Sequence, residues 1–309
     1  MNLRLVDRVT SRSSKSRPSS GAVTPPPTLL GFSTAGVETS IEVPSLGLVL
    51  DIGRCSRTAI THPIVLISHG HLDHVGAVVQ HAARRALMGM SEGVYLVPSS
   101  IGPDVEQLFN AAGTLDGGAV PRRIVPLAVG EDFPLGKNRF VRPFQTVHRV
   151  PSQGYTVWER RRRLREEFRH LDGPELGRRR RAGEAIDDTH VVPLLSFTGD
   201  TRVEALERVP ELQRTETLII EASFLDDRVS VADARAMGHI HLDELAARQA
   251  LLPPHDIVLH HFSARYTPEE IAPLCAQHLA EDVAARARLL GGADGAAREA
   301  AAVVARRAP

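Results

Sequence analysis

The stretch "SHGHLDHVGA" (68–77) sets three histidines and an aspartate within six positions, as H-x-H-x-D-H. Imidazole nitrogens and carboxylate oxygens are the donors that zinc and related divalent ions take. The stretch follows an apolar run, "PIVLIS" (63–68), which reads as a short buried strand. Alternation along an extended chain turns His69 and His71 to one side. Asp73 and His74 then enter the next turn. Four donors exceed what one ion with an open position needs, which points to two ions sharing the segment. Two ions about 3.5–4 Å apart can stabilise the attacking and leaving oxygens of a phosphodiester. They also bring the pKa of water toward about 7.

Such a centre needs more donors, and the sequence offers them at the ends of other apolar runs. His148 closes "RFVRPFQTVH" and Asp200 sits in "SFTGDT", where Gly199 frees the backbone to turn. His261 closes "DIVLHH" (256–261), with His260 beside it. Each has a plainer reading. Asp200 equally fits a helix cap, and His148 a core histidine with its hydrogen bonds satisfied. One metal site accounts for all of them. In the histidine pair, neighbouring strand residues face opposite ways, so one of the two can face a metal and the other packing between sheet and helix or a local hydrogen bond. Asp51 ends a strand nearby, where it could accept a hydrogen bond from a ligand imidazole and fix its tautomer.

The elements that must position these groups follow from the apolar pattern. "LLGFSTAG", "TSIEV" and "LGLVLDIG" read as a three-strand meander. "GVYLVP", "VVPLLSF" and "TLIIEASF" read as further strands. Helical periodicity marks 74–88, 99–113 (closed by Gly113) and 241–252. Strands that first run consecutively and then alternate with helices fit an αββα four-layer sandwich, two mixed β-sheets with outer helices. Residues 1–28, rich in Ser, Arg and Pro, read as a disordered tail, although an Arg/Ser-rich, acid-poor start also resembles a transit peptide. Residues 29–290 read as one domain that carries the site. Residues 291–309, rich in Ala and Arg, read as a loose helix or frayed tail.

Composition limits the function classes. Lys and Arg total 37 and balance 37 Asp and Glu, so no global field draws the chain to nucleic acid or membrane. No apolar run reaches the roughly 20 residues of a membrane span. Two cysteines far apart, Cys55 and Cys275, argue against a disulfide framework and for a reducing cytoplasm. Polyanion binding must then be local. An insertion at 158–186 carries two arginine runs, 160–163 and Arg178, Arg179, Arg180 and Arg181. Arginines of this kind neutralise phosphates. A solvated helix face paired with Glu159, Glu166 and Glu167 is the alternative. After His261, Ser263 and Arg265 could hold a phosphate; an arginine bonded to loop carbonyls fits as well.

Taken together, "DIGRC", "ISHGHLDHVGA", "VPSQGYTV", "FTGDT", "SFLDD", "GHIHLDELA" and "HFSARYTPEEI" resemble the tRNase Z family of the metallo-β-lactamase fold, in particular its short plant-type form. The resemblance runs in order from about Leu29 to Arg288. It implies one zinc on His69, His71 and His148, a second on Asp73, His74 and His261, and Asp200 bridging them. Mn²⁺ or Fe²⁺ would suit the same donors. It implies that His239 assists proton transfer. Beside it, Asp73 could accept a proton from water, and Glu221, ending "TLIIE", could orient His239 or simply be a solvated strand-end residue. His241 matches a family histidine but is equally a polar residue at a helix start. The implied activity is removal of the 3′ trailer of precursor tRNA, with water activated as hydroxide and a 3′ hydroxyl left on the tRNA. The implied assembly is a homodimer in which an arm grips tRNA; residues 158–186, with Gly173 and Pro174, stand where that arm should be. A hydrolase of small phosphodiesters or esters with the same centre is the alternative.

Overall fold

The computed structural model describes residues 25–291 and the backbone of 298–299 and 301–302. Most of the N-terminal tail expected at 1–28 lies outside those residues. The first sheet is built mainly from the first half of the chain: β1 (Leu30–Ala35), β2 (Glu38–Val43), β3 (Leu48–Leu50), β4 (Ile64–Leu66), β5 (Gly93–Pro98) and β6 (Arg122–Leu127). The second follows with β7 (Phe133–Pro134), β8 (Arg139–Gln145), β9 (Gln153–Leu164), β10 (Asp187–Phe197), β11 (Thr217–Glu221) and β12 (Asp256–His260). The chain then alternates. β13 (Phe262–Ser263) returns to the first sheet beside β1, and β14 (Ala287–Leu290) joins the second beside β12. β15 (Arg298–Glu299) pairs with β1 and β16 (Ala301–Ala302) with β14. Those four residues are thus paired strand, in a segment expected to be a loose helix or frayed tail. Both sheets mix parallel and antiparallel pairs.

Period-2 alternation sorts the side chains into layers. Leu48, Leu50, Leu66 and Leu96 point into the space between the sheets, where they meet Val157, Phe197, Ile219 and Val258. Their neighbours Val49, Val65, Tyr95 and Val97 point outward. There they pack under α2 (Val78–Leu87) and α3 (Gly102–Asp116), which follow the short α1 (Leu72–Val75). On the far side, Leu218, Ile220, Ile257 and Leu259 form the outer core of the second sheet. The helices after the arm helix α4 (Gly173–Arg181) add to it: α5 (Ala205–Arg208), α7 (Leu242–Ala247), α8 (Pro268–His278) and α9 (Glu281–Arg286). Between α5 and α7 the chain forms α6 (Val231–Met237). The order α, β, β, α is the one the pattern predicts.

Three details differ from the sequence reading. The helix expected to stop at Gly113 continues to Asp116, and Gly117 caps it at φ 75°. Gly113 is there for closeness, since a Cβ on it would stand 2.9 Å from the Gly118 carbonyl oxygen. The helix expected over 74–88 is broken into α1 and α2. Arg160, Arg161, Arg162 and Arg163 lie on β9, not on a helix, because β9 runs to Leu164 in antiparallel register with β10. Among the described residues no helix is long and apolar enough to cross a membrane. Cys55 and Cys275 are both free and buried.

Candidate metal centre

The ends of β3, β4, β8, β10, β11 and β12 meet at one edge of the sandwich, and the polar residues that follow them converge there. Two groups form. Donor atoms of His69, His71, His148 and Asp200 lie within 4.8 Å of one another, and so do those of Asp73, His74 and His261. Asp200 stands between the groups. Its Oδ1 is 3.4 Å from His74 Nε2 and 3.3 Å from His261 Nε2. Its Oδ2 is 3.6 Å from His69 Nε2 and 3.9 Å from His148 Nε2. His71 and His148, half-buried, close the open side: His71 Nδ1 is 3.0 Å from His69 Nε2 and 3.4 Å from His148 Nε2.

The back of each imidazole explains its orientation. His74 Nδ1 donates to Asp51 Oδ2 at 2.6 Å. Ser68 Oγ donates to the same Asp51 oxygen at 2.7 Å, so it accepts from His69 Nδ1 at 2.9 Å. His148 Nδ1 donates to the Gly238 carbonyl at 2.9 Å. His261 Nδ1 donates to Ser223 Oγ at 2.9 Å, and that hydroxyl donates to Glu221 Oε2 at 2.5 Å. A neutral imidazole that spends its one N–H on Nδ1 presents a bare lone pair at Nε2. With His69, His74, His148 and His261 all neutral, four such lone pairs would face a buried carboxylate, and Asp200 Oδ1 has no hydrogen-bond partner. Acceptors gathered without donors are costly unless a cation sits among them. The donor set is nitrogen and carboxylate oxygen, which fits divalent metal.

Charge follows the same logic. Burial alone would raise Asp73 and Asp200, but His261 and His74 beside them hold both carboxyls well below the usual range. Against burial, Asp200 and Asp51 in turn raise His74 well above the ordinary imidazole value, so in the protein alone a proton on His74 takes the place a cation would fill. Burial keeps His69 well below that value. Burial also pushes His239 down, yet Glu221 and Asp200 overcome it and raise the imidazole to about 9. His239 Nδ1 is 3.2 Å from Glu221 Oε1, and its ring lies 5.3 Å from that of His261.

Backbone strain is concentrated here. Asp51 (φ 54°) and His261 (φ 64°) are the two non-glycine residues with positive φ among the described residues. An L-residue held in that region signals a conformation fixed for use. At the end of β12 this kink, more than alternation, separates the two histidines. His260 keeps strand parity and lies between the sheets, its Nδ1 3.0 Å from Ser33 Oγ and its ring 5.5 Å from Phe197. Of the two alternatives expected, the hydrogen bond is present, to Ser33, while the packing is against the opposite sheet and not a helix.

Gly53, two residues after Asp51 in "DIG", allows α1 to approach: a Cβ there would lie 1.8 Å from the Asp73 carbonyl oxygen. Gly53→Ala is expected to cost about 1–3 kcal/mol. It should lower Tm by several degrees and reduce bound metal, because Asp73 and His74 must move. Unchanged Tm and metal content would show that this approach is not required.

The other predicted residues fall less neatly. His241 caps α7, with its Nδ1 accepting from the Asp243 N–H at 3.2 Å. Ser263 is buried, and its hydroxyl accepts from Arg265 Nη1 at 3.2 Å. Arg265 is exposed. The run on α4 is largely neutralised. Arg178 pairs with Glu175, Arg179 with Glu175 and Glu184, and Arg180 with Asp187; only Arg181 of the four has no carboxylate partner among the described residues. Ser68, Ser223 and Gly36, whose N–H donates to Asp73 Oδ2 at 2.8 Å, are supporting groups that the sequence reading passed over. Ser223 had a signal: it stands two residues after Glu221, and such residues share a side in an extended chain.

A β-lactamase superfamily domain profile matches residues 56–262. Over 243 residues the chain is 39% identical to tRNase Z TRZ1 of Arabidopsis thaliana, spanning 78% of this chain and 87% of that one. The chain belongs to the tRNase Z family. The chloroplastic tRNase Z TRZ2 of the same plant is 38% identical over 243 residues, 78% of this chain and 69% of that protein. Among solved structures, the short form of human tRNase Z superposes with a TM-score of 0.53 at 17% identity, covering 77% of this chain and 93% of that one. That likeness shows the fold the tRNase Z chain shares, and the fold and clusters together imply divalent-metal binding.

Proposed function

We propose that the chain is a zinc-dependent endoribonuclease that removes the 3′ trailer of precursor tRNA. The observation that carries the reading is the set of bare Nε2 lone pairs around Asp200, in a chain 39% identical to a tRNase Z. His69, His71 and His148 would hold one ion, Asp73, His74 and His261 a second, with Asp200 shared. Bound there, the ions supply a nucleophilic oxygen at neutral pH and offset charge on the phosphodiester. The donors also suit Mn²⁺ or Fe²⁺.

The chain's own groups do the rest. Asp51, Ser68, Gly238 and Ser223 hold the imidazoles with their lone pairs inward. His239, held protonated by Glu221, can give its proton to the departing 3′ oxygen. Asp73 Oδ2, on the open side, can take the proton of the attacking water. Arg265, exposed just beyond His261, can pair with a neighbouring phosphate.

Geometry supports a homodimer. β8 pairs with β9 only as far as Glu159, beyond which β9 and β10 continue as a two-stranded arm tipped by α4. Leu164 is twelve residues from Ser152, which bridges to His69, so the tip stands roughly 40 Å along the strand from its own centre. An arm leaving at the far end serves a neighbouring protomer better than itself. Cytoplasm is our assignment for the compartment.

The test is incubation of the purified protein with a precursor tRNA bearing a 3′ trailer and, separately, with a small chromogenic phosphodiester. Cleavage of the precursor to leave a 3′ hydroxyl is expected, with the ends mapped. Turnover of the small ester alone would overturn the tRNA reading and leave the small-substrate hydrolase.

A further inference from the structure

The outer face of the second sheet carries a basic feature that is neither the metal centre nor the α4 run. Phe140 of β8 and Trp158 of β9 are register partners, stacked with centroids 6.3 Å apart and planes 8° from parallel. Guanidinium groups cover them. Arg160 lies 4.4 Å over Phe140, Arg214 6.0 Å over Trp158, and Arg142 5.2 Å and 5.8 Å over the two rings. Alternation puts Arg162 on the same face, together with Val191, the register partner of Arg160. Val191 is 48% exposed, a large apolar side chain left open beside the cations. Trp158 Nε1 is buried without a hydrogen-bond partner.

Charge accounting singles the face out. Arg142 is neutralised by Asp132 at 2.7 Å. Arg161, Arg165 and Arg169 on the arm are likewise paired, with Glu216, Asp188 and Glu166. Arg160, Arg162 and Arg214 are exposed and have no carboxylate partner among the described residues. Three like charges held together without counter-charge repel one another. Stacking fixes the plane of a guanidinium yet spends none of its in-plane N–H donors. Arg160 lies against Phe140 and Arg214 near Trp158, and phosphate is the anion whose geometry a guanidinium fork matches.

We infer that Arg160, Arg162 and Arg214 form a docking face for the phosphate backbone of folded RNA. Trp158 is six residues from Ser152 at the metal centre, so the face lies roughly 20 Å along the strand from it. An RNA held there can place its 3′ end in the centre. That the RNA is the substrate rests on the proposed function; that the face binds RNA backbone does not. The face reads shape and charge, with no sequence preference.

The chain has one tryptophan, so emission from Trp158 reports this face alone. Titration of the full chain with mature, uncleavable tRNA is expected to change that emission saturably. The R160E/R162E/R214E variant should bind tRNA at least tenfold more weakly. Its slope of log K against log salt should be shallower by about 2–3, roughly one for each lost phosphate contact. KM for precursor tRNA should rise, while kcat/KM for the small phosphodiester stays within twofold. Arg162→Glu alone touches neither ring and should weaken binding about threefold, which keeps the test valid if the triple variant misfolds. Unchanged emission at tRNA concentrations where labelled tRNA is bound would overturn the proposal. So would wild-type affinity in the folded variants. A change of oligomeric state with tRNA affinity unchanged would make the face a contact between copies of the chain. If tRNA binds as expected but precursor is not cut, the catalytic reading fails and this one stands.

Discussion

Asp200→Ala should leave the folded protein without its metal and lower turnover of precursor tRNA by at least about 10³-fold. The size follows from what the carboxylate is placed to do. It is the anion between the two imidazole groups, with one oxygen within 3.4 Å of His74 and His261 and the other toward His69 and His148. Without it, one ion would be left to three imidazoles and the other to Asp73 as its one anionic donor. Metal ions supply several kcal/mol of transition-state stabilisation, and each 1.36 kcal/mol is tenfold in rate. Elemental analysis of the purified variant, with circular dichroism to check folding, reads the first effect and single-turnover cleavage the second. Full metal occupancy with turnover within tenfold of wild type would remove Asp200 from the centre.

His239→Ala should separate chemistry from metal binding. The residue stands behind the open side, raised to about 9 by Glu221 and Asp200 against burial. A positioned proton donor contributes about 10²–10⁴-fold, so kcat should fall by that factor with metal content unchanged. The sign of the pH effect follows. The working form is the imidazolium, present at neutral pH and lost as pH rises through about 9. Glu221→Gln removes the charge that sustains it and should move the alkaline limb of the kcat profile to lower pH. Asp200, His239 and His261 also converge as a possible donor group. Loss of metal in His239→Ala would therefore make it a ligand, and a kcat within threefold of wild type would remove it from proton transfer.

What could be read from the sequence, and what could not, divides by range. The convergence of His69, His71, Asp73 and His74 is local, and the strand-end positions of His148, Asp200 and His261 follow from apolar runs that stop at polar residues. Their meeting required only that those strands share an edge of the sandwich. The arginines depended on pairings that no local pattern encodes. Arg161 meets Glu216 across 55 residues, and Arg180 meets Asp187 across the arm's tip. The α4 run is thereby largely neutralised, while Arg160 and Arg162 of the β9 run and Arg214, isolated in the sequence, are left without a carboxylate partner among the described residues. His260 shows the same limit. Its separation from His261 was predicted, but the left-handed backbone that produces it appears only in three dimensions.

The donors do not come from one layer. His69, His71, Asp73 and His74 hang from the first sheet, His148 and Asp200 from the second, and His261 from the kink where the chain passes between them. Tyr155 adds a tie, its hydroxyl donating to the Ile67 carbonyl across the gap at 2.7 Å. The centre is therefore a gauge of how the two sheets sit on each other. Sliding one over the other by even an ångström would pull the donor groups apart while leaving each sheet's own ladder intact. Productive geometry tolerates about half an ångström. Mild denaturation should thus silence the enzyme before it unfolds, and the tightly interlocked leucines and valines between the sheets serve catalysis as much as stability.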